Sequence, residues 1–180
     1  MEQFNKSLPR VDSSIRILHA VPTAPAVDVY VNGTIISSNL NFAKISNYTK
    51  LIPGEYNFQI YKAGTYDKPL LSQSIQLYPK SNYTISITTL SNNLYFFKLK
   101  DDNIPSTQTP AFLRFINLSP NAPLLTLALP NNNVLFSGTE YLETTGYYQL
   151  SSGIYNFLVL FAYSEQVSKY IKNLTLDDGK

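Results

Sequence analysis

The chain contains no cysteine, no tryptophan, one methionine and a single histidine in 180 residues. Without thiols there is no disulfide framework, no thiolate nucleophile and no cysteine-held zinc or iron–sulfur centre. One histidine excludes a metal centre built from several imidazoles, and no cofactor is expected. Charge is scarce as well: charged residues make up 14%, against roughly 25% in an average globular domain. With a net charge of +2 the chain sets up no field that would draw phosphate or anionic lipid, so nucleic acid is not an expected partner. It also lacks an apolar run of the roughly 18 residues that a membrane helix needs, and no membrane span is expected. Residues 1–12 have no apolar stretch of the kind a secretory signal requires and are read as an N-terminal tail.

What the chain does have is apolar and aromatic matter, at 44% hydrophobic with 14 Tyr and 10 Phe. That is too apolar for disorder, and a chain of this length buries about two-thirds of its unfolded surface without needing covalent staples. The apolar period is two. Val27, Val29 and Val31 alternate with Asp28, Tyr30 and Asn32; Tyr56, Phe58 and Ile60 alternate with Asn57 and Gln59; Tyr83, Ile85 and Ile87 alternate with Thr84 and Ser86. Alternation of this kind predicts half-buried strands, and no capped 3.6-period stripe predicts a long helix. Asn32-Gly33 and Pro53-Gly54 supply turns, because glycine tolerates positive φ. The fold class is all-β, as antiparallel sandwiches or barrels.

The sequence also repeats itself. Arg16-Ile17-Leu18-His19-Ala20-Val21-Pro22-Thr23-Ala24-Pro25 returns 98 residues later as Arg114-Phe115-Ile116-Asn117-Leu118-Ser119-Pro120-Asn121-Ala122-Pro123, and Gly54-Glu55-Tyr56-Asn57-Phe58 returns 99 later as Gly153-Ile154-Tyr155-Asn156-Phe157. This predicts two tandem copies of one small domain, residues 13–103 and 111–180, joined by a polar, proline-bounded linker at 104–110. Copy one runs on from Leu77 through two further strand patterns, Tyr83–Leu90 and Leu94–Leu99; copy two reaches Leu176 and is expected to lack its last strand or strands. An edge left open in this way invites self-association or strand addition by a partner.

Arg16, His19, Ala20, Pro22, Ala24, Pro25, the run Val27-Asp28-Val29-Tyr30, Gly33 and the later Leu51-Ile52-Pro53-Gly54-Glu55-Tyr56 carry a family pattern. The chain resembles DUF4397, a bacterial family of domains of unknown function; the likeness covers copy one nearly end to end and copy two more loosely. The resemblance implies an immunoglobulin-like or transthyretin-like β-sandwich, often in tandem on secreted or cell-surface proteins. It implies no established activity.

His19 and Asp28 are the one pair with the look of a chemical site, an imidazole within reach of a carboxylate. No serine or second carboxylate recurs in that block, and copy two puts Asn117 and Thr126 in their places. Those replacements form hydrogen bonds but do no acid–base work, so the pair is read as a structural hydrogen bond between the two side chains, worth on the order of 1 kcal/mol. Tyr61 and Tyr66 are candidates for a binding surface, since tyrosine offers a flat amphipathic ring at low entropy cost. Leu158 and Leu160 join them: where copy one has Gln59 on the outward phase copy two has leucine, so this strand is apolar on both faces and needs cover. The reading is a non-catalytic surface or structural module, secreted or at the cell surface, that binds protein or cell-surface polymer. The alternatives are a carbohydrate-binding module using Tyr and Asn, a hydrolase built on His19, and a cytoplasmic or spore-associated location.

Overall fold

The computed structural model describes residues 11–101, 110–131, 133–162 and 166–178. The N-terminal tail up to residue 10 and linker residues 104–109 lie outside the described residues. All regular structure in the described residues is β, and the chain divides into two compact units, residues 1–103 and 104–180.

Unit 1 contains β1 (Ser13–His19), β2 (Val27–Val31), β3 (Thr34–Leu40), β4 (Thr49–Leu51), β5 (Gly54–Lys62), β6 (Leu71–Leu77), β7 (Asn82–Leu90) and β8 (Asn93–Asp101). They form two four-stranded sheets, ordered β4-β1-β7-β8 and β3-β2-β5-β6. The alternating residues become the layer between the sheets: Ile15, Ile17, Ile85, Ile87 and Phe96 on one side, Val27, Val29, Val31, Phe58 and Ile60 on the other, all buried. The Phe58 and Phe96 rings meet edge to face at 5.8 Å, and a side chain of this size contributes about 1.5–3 kcal/mol on full burial.

Turn chemistry sets the hairpins. Asn32 and Gly33 both have positive φ, 47° and 78°, which is the two-residue turn whose twist matches flanking strands, and Val31 pairs with Thr34 across it. Ser91 and Asn92, at 49° and 64°, do the same between β7 and β8. Pro53-Gly54 behaves differently from a hairpin turn, because β4 and β5 lie in different sheets. The chain changes sheet there, and the Tyr56 hydroxyl fixes the corner by donating back to the Ile52 carbonyl at 2.7 Å.

One pairing departs from the expected antiparallel pattern. β1 runs parallel to β7, with Ile15 beside Tyr83, Ile17 beside Ile85 and His19 beside Ile87. A hairpin cannot join parallel neighbours, so everything between them, including the whole second sheet, serves as the crossover. Where the sheets abut, the side-chain amide of Gln73 acts as a strand neighbour for β8: its Nε2 donates to the Phe96 carbonyl at 3.2 Å and its Oε1 accepts the Phe96 N–H at 3.0 Å.

Unit 2 contains β9 (Ala111–Leu113), β10 (Leu125–Ala128), β11 (Val134–Thr139), β12 (Tyr148–Leu150), β13 (Gly153–Phe161) and β14 (Val167–Leu176). Its sheet β11-β10-β13-β14 has the order of β3-β2-β5-β6, and its two-stranded sheet β12-β9 has that of β4-β1. Registers agree too: Ser13 faces Leu51 and Ile15 faces Thr49, as Ala111 faces Leu150 and Leu113 faces Tyr148. Among the described residues no strand flanks β9 on its other side, where β7 flanks β1. The buried core is accordingly short, consisting of Leu125, Leu127, Phe157 and Val159, with Leu113, Phe115, Leu150 and Leu176 only partly covered.

Candidate functional site

His19 ends β1 on its core phase and has no exposed surface. Its Nδ1 accepts the Val21 N–H at 3.3 Å, so Nε2 carries the ring proton and donates to the Pro25 carbonyl at 3.1 Å. Both bonds hold the proline-bounded turn against the end of the strand, since proline has no N–H of its own to tie it down. Asp28 lies in β2, on the outer face of its sheet. Its Oδ1 accepts the Asn39 N–H at 2.7 Å and its Oδ2 accepts the Gly64 N–H at 2.8 Å. The expected hydrogen bond between His19 and Asp28 is therefore not present. Each residue anchors backbone, on opposite faces of the strands that carry them, and the shared turn never brings imidazole and carboxylate together. An imidazole sealed from solvent, with both nitrogens occupied, reaches no substrate in this state.

The bond from Gly64 to Asp28 folds the β5–β6 loop over the outer face of sheet β3-β2-β5-β6, where one loop tyrosine meets two from the strands. Tyr61, paired with Asp28 across β2 and β5, lies 4.5 Å from the tilted ring of Tyr66 from the loop and meets Tyr30 edge to face at 5.3 Å; Tyr30 and Tyr66 are 4.8 Å apart. This corrects half of the expected tyrosine surface. Tyr66 is 54% exposed, but Tyr61 is only 4% exposed because Tyr66 covers it. Burial first, and then the neighbouring phenol groups of Tyr66 and Tyr30, push the Tyr61 hydroxyl above the ordinary tyrosine range. The planes of Tyr61 and Tyr66 are inclined by 31° and those of Tyr30 and Tyr66 by 46°, so the three rings make a cluster and not a flat platform. Tyr30 was not among the sequence candidates. The signal for it was its place on the same phase as Asp28, two residues on; the exposed Ile35, paired with Tyr30 across the hairpin, extends the patch.

Unit 2 places the same bonds at positions 98 or 99 residues on. Asn117 Oδ1 accepts the Ser119 N–H at 3.0 Å as His19 Nδ1 accepts that of Val21, and Thr126 Oγ1 accepts the Gly138 N–H at 3.2 Å as Asp28 accepts that of Asn39. Asn39 and Gly138 share a positive φ, 49° and 66°. Arg16 lies over the Tyr48 ring at 4.8 Å and Arg114 over Tyr147 at 5.0 Å. Leu158 and Leu160 occupy the positions of Gln59 and Tyr61, half-buried on the outer face. Leu158 pairs with Tyr170 and Leu160 with Val167, and both partners are exposed. Among the described residues no group of three or more His, Asp or Glu side chains comes close enough to hold a metal ion, and no helix is long and apolar enough to cross a membrane.

The family described as Domain of unknown function (DUF4397) matches residues 13–128, well over half of the chain. The chain belongs to this family. In this DUF4397 chain the match begins with the first residue of β1 and ends with the last of β10, so it covers every strand of unit 1 and enters unit 2. Its Val-Asp-Val-Tyr run, residues 27–30, lies in the strand whose acid anchors the end of β3 and the β5–β6 loop and whose tyrosine joins the outer cluster. Among curated proteins none matches the chain.

Proposed function

We propose that this DUF4397 chain is a non-catalytic interaction module of a bacterial envelope or spore surface, made of two copies of one β-sandwich domain and acting by binding protein or cell-surface polymer. The observation that carries this reading is an apolar patch on the outer sheet face of each unit. Ile35, Tyr30 and Tyr66 in unit 1, and Leu158, Leu160, Val167 and Tyr170 in unit 2, stand where a solvated sheet ordinarily carries polar side chains. Contiguous apolar groups on such a face mark contact surfaces.

The equivalent bonds of His19 and Asn117, and of Asp28 and Thr126, support both the two-copy reading and a structural role for the only histidine. A cysteine-free chain also suits an oxidising exterior, where a free thiol is a liability. The inclined tyrosine rings give less support to a flat sugar-stacking platform.

The test is binding of the labelled full chain to bacterial envelope fragments, to spore coats and to a glycan array. We expect saturable binding to envelope or spore material, weakened at least about tenfold by Tyr66→Ala or Leu158→Lys, a loss of about 1.4 kcal/mol, and unchanged by His19→Asn. Loss of binding by a folded His19→Asn variant, or chemical turnover of a bound component, would overturn the reading. Binding confined to the glycan array would replace it with the carbohydrate module.

A further inference from the structure

We propose that Tyr61 and Tyr66 form an oxidative cross-linking site, whose rings couple through their ortho carbons into an intramolecular dityrosine that staples the β5–β6 loop to β5. The co-reactant is a one-electron oxidant of the haem-peroxidase class, working with hydrogen peroxide. The inference goes beyond the interaction-module reading and does not depend on it.

The fold holds the two rings ready. The chain between them is tied at three consecutive residues: the Ala63 N–H donates to the Ala26 carbonyl at 2.9 Å, that of Gly64 to the Asp28 carboxylate at 2.8 Å and that of Thr65 to the Lys62 carbonyl at 3.0 Å. The ring centroids lie 4.5 Å apart with planes inclined by 31°, and the two hydroxyl groups share a hydrogen bond. That bond brings the hydroxyl ends of the rings together, and the ortho carbons are the neighbours of the hydroxyl-bearing carbons. Of the three ring pairs in the cluster this one is the closest and the nearest to parallel; Tyr30 meets Tyr66 at 4.8 Å and 46°, and Tyr61 at 5.3 Å and 76°. Reacting groups held in contact join in a unimolecular step, which outruns encounters between separate chains.

Exposure gives each ring a separate part. Tyr66, 54% exposed, is open to the oxidant and loses one electron to it and its phenolic proton to water. A hydrogen atom then crosses the shared hydrogen bond from Tyr61, which leaves the radical on a ring only 4% exposed and returns Tyr66 to its phenol form. A second oxidation of Tyr66 completes a radical pair. Their ortho carbons form one carbon–carbon bond, and the hydrogen displaced from each ortho carbon is replaced by one on each phenol oxygen. The two electrons and two protons removed in all reduce one hydrogen peroxide to two waters. In a chain without cysteine this is a covalent loop closure that needs no thiol.

The test oxidises the full 180-residue chain, at low protein concentration, with a haem peroxidase and hydrogen peroxide. Lys62 lies between the two tyrosines, so trypsin separates them unless the rings are joined. Expected are a monomer lighter by two hydrogen atoms, dityrosine fluorescence, and a linked pair of tryptic peptides carrying Tyr61 and Tyr66 in at least about tenfold excess over any other linked pair. Tyr78, 58% exposed with the Lys98 ammonium 5.4 Å from its ring centroid, is the internal comparison and should give no intramolecular link. Tyr61→Phe should abolish the product and Tyr30→Phe should leave it, each with circular dichroism to show that the variant is folded. Unfolding in urea keeps the sequence spacing and should lower the yield at least about tenfold. Products confined to links between chains, an equal yield in urea, or a link that survives Tyr61→Phe would overturn the proposal.

Discussion

The Asp28 carboxylate accepts the Gly64 N–H at 2.8 Å, and that bond carries the β5–β6 loop back over the sheet so that Tyr66 lands on Tyr61. The other carboxylate oxygen holds Asn39 near the end of β3, so one side chain ties β2 to both β3 and the β5–β6 loop.

Removing this acid should loosen both the end of β3 and the β5–β6 loop. Asp28→Ala leaves two backbone N–H groups without their acceptor and is expected to cost about 2–6 kcal/mol, at about 1–3 kcal/mol for each loss. Asp28→Thr keeps the acceptor that Thr126 supplies in unit 2 and should cost less. Urea midpoints rank the variants, and near-ultraviolet circular dichroism reads the tyrosine cluster. An alanine variant with wild-type stability and an unchanged tyrosine signal would sink the assignment.

Alkaline pH should act through Tyr61. Its hydroxyl ionises above the ordinary range in the folded chain, while the unfolded chain ionises at the ordinary value of roughly 10. The folded state then holds the proton longer, so this contribution to stability is complete below the unfolded value and is lost as pH rises through the folded one. Tyr61→Phe should flatten the alkaline fall in stability, and Tyr66→Ala should bring the Tyr61 titration down toward normal by opening it to water. Spectrophotometric titration at the phenolate band checks both; identical curves for wild type and Tyr61→Phe would refute the account.

His19→Asn is expected to fold and to cost about 1–2 kcal/mol. Asparagine keeps the bond that Asn117 makes to Ser119, but it gives up the Pro25 contact and leaves space beside Phe42, whose ring lies 6.4 Å from the imidazole. Thermal melts decide; a loss above about 4 kcal/mol would mean the ring does more than hold the turn.

Two residues with side chains sit in the left-handed region at equivalent places, Ala43 at φ 61° and Leu142 at φ 63°. A non-glycine residue there costs roughly 1–2 kcal/mol, partly offset by the chain entropy that glycine loses on folding. Ala43→Gly should therefore raise stability by about 0.5 kcal/mol, visible as a higher denaturant midpoint with an unchanged slope. A lower midpoint would contradict it.

The strands were legible because their chemistry is local. Val27, Val29 and Val31, Phe58 and Ile60, and Tyr83, Ile85 and Ile87 all point into the core that their alternation implied. The parallel partner of β1 was not legible, since nothing in residues 13–19 names a mate more than sixty positions away. The site candidates failed for a related reason. Side-chain type showed that His19 and Asp28 would seek hydrogen bonds, but the partners are backbone groups of Val21, Pro25, Asn39 and Gly64, which carry no residue-specific mark. Tyr61 sits on the outward phase, as read, and is buried only because a loop crosses it. Leu158 and Leu160 were apparent from phase alone, and the register then supplied Tyr170 and Val167 beside them.

The parallel pairing of β1 with β7 also has a consequence in time. β1 leaves the ribosome ahead of β2 to β8, yet its neighbour is complete only when Ile87 has followed, several seconds later at about 5–20 residues per second. The hairpins of β2, β3, β5 and β6 form meanwhile from nearer contacts, whose closure costs less. In chains arrested before residue 82, protease is expected to cut within residues 13–19 while 27–77 resists. Until then Ile15 and Ile17 lack their final cover, and the newborn chain presents chaperones with the apolar face of β1.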